Sequence, residues 1–324
     1  MSTPIIVNGT ELYPWLADHW SFFIQRLAQD RLAHAILVTG PADSGQKVLA
    51  EAMVSRLLCS ENEQTACGQC RSCQLLAGGA HPDYFELQPE EDSKVVKVDQ
   101  VRGLIAKLDL TTSISKRKVA FVHPADSMNA AAANALLKSL EEPSGDTVLI
   151  LVSSNPGGLP VTIRSRCQAI TVSQPDKQVV LDWLSGMSGK PQNAIMPALQ
   201  AAGGSPLRAA QYLDSPELDA YRQVRDALAT LLARPGSASV VSSQLVEIEP
   251  VNLWRWISMC TGEIIKSLMV GETLEWFPPN PALREKTLLE LQRQADINRR
   301  MSASPVRGDL LLQDWLIRWA EQVV

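Results

Sequence analysis

Apolar and polar positions along the chain fall into two regimes. From about residue 15 to residue 172, short apolar runs alternate with stretches of helical period. Trp15, Leu16, Trp20, Phe23, Ile24 and Leu27 recur at the spacing of an amphipathic helix over 15–31. The run from His34 to Thr39 predicts a buried strand, and 46–58 a helix. Further strands are predicted at 83–88, 119–122, 148–152 and 168–172. Val101, Leu104, Ile105 and Leu108 mark one face of a helix that Asp99 is placed to cap. Ala130 to Glu142 forms another, capped by Ser127 and closed by Pro143. The charged stretch 89–97 reads as a loop. Strands alternating with helices imply an α/β domain, with a parallel sheet covered on both faces.

After Pro175 the strand signals stop. Residues 176–187 and 191–202 have helical period, and Gly203-Gly204 separates them from a short helix at 206–213. From about 216 onward only helical periodicity is present, broken at Pro235-Gly236, Pro250, Pro278-Pro279 and Pro305. Trp254, Trp256, Trp276, Trp315 and Trp319 give these helices large apolar faces, suited to a core or a subunit interface.

Composition narrows the classes. A chain of 324 residues, 45% hydrophobic and 20% charged, has ample core for two or three domains. The net charge of −5 argues against DNA binding through a broad basic surface. No segment reaches the length of a membrane span, and the first residues lack a signal-peptide pattern, so the expected location is the cytoplasm.

Candidate chemistry begins at the end of the first strand. Gly40 and Gly45 stand at the G-x-x-x-x-G spacing of a phosphate-binding loop that opens a helix. The motif then calls for Lys and Ser/Thr; this chain has Gln46 and Lys47. An amide supplies no point charge for terminal phosphates, and a lysine does not ligate Mg²⁺ as a hydroxyl does. The strand at 119–122 ends in His123-Pro124, where a P-loop ATPase carries Asp-Glu. Asp126 lies too far along to replace them and reads as a capping residue. Ser153-Ser154-Asn155 ends the next strand at the place of a polar γ-phosphate sensor, and reads equally well as a turn cluster.

Cys59, Cys67, Cys70 and Cys73 include two C-x-x-C steps and suffice to close a tetrahedron around Zn²⁺. Four protein ligands leave no open position, so the site is read as structural. An iron–sulfur cluster is the rival occupant, and four unrelated buried cysteines the bland alternative. His81 is a conceivable substitute ligand but reads more simply as a structural histidine. Cys167 and Cys260 lie outside the cluster and read as small buried residues.

Asn134-Ala135-Leu136-Leu137-Lys138-Ser139-Leu140-Glu141-Glu142-Pro143, the strand after it, and Ser165-Arg166-Cys167 resemble the clamp-loader branch of the AAA+ ATPases. The four cysteines ahead of His81-Pro82-Asp83 are similar to the zinc module of that branch's bacterial members. The likeness covers roughly residues 15–210; the last third matches in length and helical character only. It implies a RecA-like P-loop domain over 1–173 with an inserted zinc module at 59–73, a helical lid at 174–213, and an all-α collar at 214–324.

The resemblance also implies a job. The chain would be a stator subunit of a clamp loader, holding one structural Zn²⁺ and binding neither ATP nor Mg²⁺ productively. Arg166 would act in trans as an arginine finger on the ATP of an adjacent gamma/tau-type ATPase subunit. A delta subunit, and through the complex the β sliding clamp and primer-template DNA, complete the expected partners. No activity is expected of the chain alone, although the assembly belongs to a DNA-directed DNA polymerase holoenzyme. The family's ATPases carry a lid arginine after a Gly-Ser pair as a second sensor; here Gly204-Ser205 is followed by Pro206-Leu207-Arg208, with Arg208 one step displaced. A divergent ATPase using Lys47, and a zinc-module DNA-binding protein, are the competing readings.

Overall fold

The computed structural model describes residues 6–7, 10–61, 64–277, 280, 282–302 and 307–321; the breaks expected at Pro278-Pro279 and Pro305 lie outside them. Two short antiparallel strands come first, β1 (Ile6–Val7) and β2 (Thr10–Glu11). A 3-10 turn at Pro14–Leu16 runs into α1 (Ala17–Ala28). There follow β3 (Ala35–Thr39), α2 (Gln46–Leu58), α3 (Arg71–Ala77), β4 (Tyr84–Leu87) and α4 (Val98–Leu108). Next are β5 (Lys118–Val122), α5 (Ala130–Glu141), β6 (Thr147–Ser153), the single turn α6 (Val161–Arg164) and β7 (Gln168–Thr171).

Five of these strands form one parallel sheet in the order β4-β5-β6-β3-β7. This is the parallel sheet covered by helices on both faces that the sequence predicts. The period-2 alternation of each strand sorts its residues between two cores. Ile36 and Val38 of β3 join Trp20, Phe23, Leu49 and Met53 of α1 and α2. Ala35 and Leu37 face Leu104, Leu136 and Leu140 of α4 and α5 on the other side. Burial on both faces is why the inner strands β3, β5 and β6 read as continuous apolar runs, whereas the edge strands β4 and β7 are only partly covered. Because β3 is flanked by β6 and β7, the loop that follows it emerges at the carboxyl edge of the sheet, amid the other strand ends.

Two expected caps are corrected. Helix α4 starts two residues earlier than a cap at Asp99 allows. Its N-cap is Lys97, whose backbone N–H donates to the Gln100 side chain at 2.9 Å, while Asp99 sits in the first turn and pairs with Arg102. Acid in that turn favours the helix dipole without capping it. Helix α5 is capped by Asn129, whose Oδ1 accepts from the Ala132 N–H at 2.8 Å. Ser127 is spent in the preceding 3-10 turn, donating to the Pro124 carbonyl.

The described chain divides into two compact units, residues 1–192 with 205–207, and 193–204 with 208–324. Helix α7 (Lys177–Ser188) belongs to the first, so the stretch 174–213 contributes to both. The second unit takes in most of α8 (Gln192–Ala201) and α9 (Pro206–Tyr212), and all of α10 (Glu217–Ala233), α11 (Ala238–Leu245), α12 (Pro250–Val270), α13 (Glu285–Met301) and α14 (Gly308–Ala320). Its core holds Trp254, Trp256, Trp315 and Trp319, all fully buried. The indole N–H groups of Trp256, Trp315 and Trp319 donate to the carbonyls of Ala201, Leu291 and Leu228. That satisfies the polar atom that makes tryptophan costly to bury. Cys260 is fully buried here, whereas Cys167, expected to be buried, is only half-buried. Among the described residues no helix is long and apolar enough to cross a membrane.

Candidate functional site

The loop 40–45 has the backbone of a phosphate cradle and is filled by its own chain. Gly40 has no room for a side chain, since a Cβ would stand 2.6 Å from the Val172 carbonyl oxygen. Gly45 lies at φ +93°, with Tyr13 2.9 Å from where a Cβ would be. Both glycines are therefore required by the strand–turn–helix path. Gln46, at the position of the motif's lysine, is 4% exposed. Its amide Nε2 turns back to donate to the Pro41 carbonyl and to Ser154 Oγ, both at 2.9 Å, with a longer contact to the Gly40 carbonyl at 3.3 Å. The side chain that would reach forward to phosphates instead ties the loop to the end of β6. Its Oε1 is buried and meets no donor among the described residues.

The rest of the loop is fastened as well. The Trp15 indole N–H donates to the Ser44 carbonyl at 2.8 Å. The Ser205 hydroxyl lies 3.2 Å from the Ala42 and Asp43 carbonyls, and the Leu207 N–H donates to Asp43. Tyr13 stacks on Trp15 with ring centres 5.1 Å apart, and Trp183 meets both edge-on. Lys47 does not enter the loop: its ammonium lies 3.6 Å from Glu51, one turn along α2, and half its side chain is exposed. At the end of β5, His123 holds the place of the absent acids. Burial and the Lys47 charge push its pKa down, against the pull of Asp126. Asp126 follows in the 3-10 turn and caps nothing. Arg208 is half-buried on α9 in the second unit, where its charge acts on Arg255.

The four cysteines come together as the spacing predicts. Their Sγ atoms all lie within 4.8 Å of one another, with Cys67 and Cys73 4.0 Å apart. A tetrahedral Zn–S₄ centre with bonds of about 2.3 Å has sulfur–sulfur edges of about 3.8 Å, so the cluster has the right size. Backbone N–H groups of Cys67, Cys70 and Cys73 point at the sulfurs of Cys59, Cys67 and Cys70 at 3.3–3.4 Å. Such contacts favour thiolates, the ligand form. At Cys70 burial opposes ionisation, but the Cys73 N–H and Ser60 outweigh it and bring the thiol pKa down to about 6, while burial and the neighbouring sulfurs push Cys73 up to about 12. Helix α3 carries Cys73 in its first turn and was not anticipated from the sequence.

His81 is not part of that cluster. Ser72, His81 and Asp83 look at first like a nucleophilic triad, with Ser72 Oγ 2.8 Å from His81 Nε2. The hydrogen bonds rule out the chemistry. His81 Nδ1 accepts from the Asp83 backbone N–H at 3.1 Å, so the ring proton sits on Nε2 and points at the serine. Ser72 in turn donates to the Leu58 carbonyl at 2.6 Å. A base that already holds its proton towards the nucleophile cannot take another. The network instead clasps α3 to the end of α2 and to the segment that leads into β4.

Asp83, 1% exposed, uses its carboxylate on the backbone N–H groups of Ser113, Ile114 and Ser115 at 2.6–2.9 Å. Burial would raise its pKa; the three donors outweigh burial and lower it. The depressed value means this stabilisation is complete above the ordinary aspartate range, about 3.9, and is lost as pH falls through the lower folded value. Asp83→Asn should cost about 3 kcal/mol in thermal melts at neutral pH, since one carboxamide cannot accept all three bonds. The gap to wild type should narrow towards acid; a melting temperature equal to wild type would refute this account.

Arg166 lies in the turn between α6 and β7. Its Nε donates to Glu141 Oε1 at 2.5 Å, Nη2 lies 2.5 Å from the same oxygen, and Nη1 donates to the Thr162 carbonyl at 3.0 Å. The arginine side chain is 35% exposed. The contact of Glu141 with Arg166 and the fold-back of Gln46 onto Pro41 and Ser154 were not anticipated from the sequence. The Asn134–Pro143 segment, which carries the resemblance, packs Leu136 and Leu140 into the core.

Comparison with known proteins shows the family of the chain. The family model described as "DNA polymerase III, delta subunit" matches residues 16–176. A Pseudomonas aeruginosa protein, "DNA polymerase III subunit delta'", is 40% identical over 258 residues, 79% of this chain and 78% of that protein. The Escherichia coli protein of the same name is 32% identical over 78% of this chain and 76% of its own length. The Yersinia pestis one is 31% identical over 95% of both.

Proposed function

The chain belongs to the family of DNA polymerase III delta' subunits, and from that premise we propose that it serves DNA replication as the non-ATPase, stator subunit of the clamp loader. The observation that carries this reading is a phosphate loop plugged by Gln46 in the same unit as an arginine held at the surface. The chain has the means to serve a neighbour's nucleotide and little means to use its own. In this reading residues 1–173 form the RecA-like domain, 174–213 the lid and 214–324 the collar through which the subunits join. The ATPase subunits (gamma/tau) and delta are its direct partners in the cytoplasm. The β clamp and primed DNA are reached through the complex, and Arg166 completes the neighbouring ATP site. The cysteine cluster holds one structural Zn²⁺.

Reconstitution tests this. Mixed with the ATPase and delta subunits, the chain should co-elute as one complex that loads the β clamp on primed DNA, and omission of the chain should abolish loading. Titrating Mg·ATP into the chain alone should give no saturable binding. Micromolar, Mg²⁺-dependent binding would favour a divergent ATPase. Failure to assemble with an intact P-loop partner would remove the stator role.

A further inference from the structure

We propose that Glu141 is the positioning residue of the Arg166 finger; the inference rests on the reading of Arg166 given above. An arginine side chain on a surface turn samples many rotamers, and fixing one of them on a phosphate costs entropy. Here that ordering is done in advance. Glu141 Oε1 takes Nε and Nη2 together at 2.5 Å, and the Thr162 carbonyl takes Nη1 at 3.0 Å. Two hydrogen bonds, from Nε and Nη1, and the Nη2 ion pair hold the head, which carries five N–H bonds in all. No further partner is found among the described residues, and the side chain is partly exposed. The head is gripped but not satisfied, as a group waiting for an incoming anion must be.

Glu141 has no evident local reason for its place. It is the last residue of α5, whose C-cap is Glu142. A negative charge at a helix C-terminus is disfavoured by the dipole. Its described ion pair reaches Arg166, 25 residues on. Both side chains are well exposed, so the pair adds little to folding. What it does is fix where the guanidinium sits.

The test uses the assembled loader in which the other subunits' own finger arginines are removed, so that turnover reports the site this chain serves. Glu141→Gln should lower kcat about tenfold with KM for ATP unchanged, less than the loss from Arg166→Ala. Glu141→Asp should be intermediate, and Glu141→Gln should add nothing in the Arg166→Ala background. Melting temperature and complex elution should match wild type for each variant. Wild-type kcat in Glu141→Gln and Glu141→Ala, with Arg166→Ala slowed, overturns the positioning role and leaves the finger standing. Wild-type kcat in Arg166→Ala overturns the finger itself. A full additional loss in the double variant, or loss of assembly in Glu141→Gln, also overturns the proposal.

Discussion

Arg166→Ala in the assembled loader should slow hydrolysis at the neighbouring ATP site by about 10³-fold or more, equivalent to roughly 4 kcal/mol of transition-state stabilisation. The reason is electrostatic. Phosphoryl transfer moves charge onto the oxygens around the transferring group, and a guanidinium fork meets that charge with two aligned N–H bonds. An interaction made mainly in the transition state lowers kcat and leaves KM for ATP little changed. Arg166→Lys should rescue poorly, because an ammonium keeps the charge but loses the fork. In a loader with several working sites the steady-state loss is diluted, so the measurement belongs in a complex where only this site turns over. Elution with the complex separates lost catalysis from lost assembly. A variant that assembles normally and hydrolyses ATP at the wild-type rate would end the finger reading.

Much of this was legible in the residues, for reasons of period and spacing. Helix α2 was bounded correctly at 46–58 because a glycine precedes it and apolar residues run through it. The inner strands β3, β5 and β6 were found because burial on both faces makes each a short apolar run; the edge strands β4 and β7 are shorter and only partly covered. The cysteine cluster was found because its ligands are close in sequence. The failures share an opposite cause. Asp126, Ser127 and Asn129 all suit an N-cap, and the choice among them depends on a 3-10 turn that consumes the first two. The fate of Gln46 depends on Ser154, 108 residues away on a neighbouring strand end. The Glu141–Arg166 pair depends on the packing of α5 beside the α6–β7 turn. At Gln46–Lys47 the sequence told what had been lost; only the fold tells that the vacancy is filled.

The largest stability effect should come from the cysteine cluster. Structural zinc supplies about 10–16 kcal/mol of apparent binding energy in isolated zinc-finger peptides, all of it coupled to folding. The module's own hydrophobic cluster is small: Cys59, Ala66 and Cys73 are buried, with Cys67 and Cys70 partly covered. Purified without added zinc, the chain should carry one equivalent, and a strong chelator or Cys73→Ser should remove it. Amide exchange should then rise sharply at residues 64–70. Helix α3 should follow more slowly, since Ser72 and His81 clasp it to the end of α2 and to the segment that leads into β4. Strands β3, β5 and β6 should stay protected, because their cores draw on neither the cysteines nor the metal. Acid should act in the same direction as the chelator, since each thiolate must be protonated for the metal to leave. A metal-free chain with full protection at 64–70 would show that the four thiols need no ion. Iron and inorganic sulfide in place of zinc would show that the cluster had been given the wrong occupant.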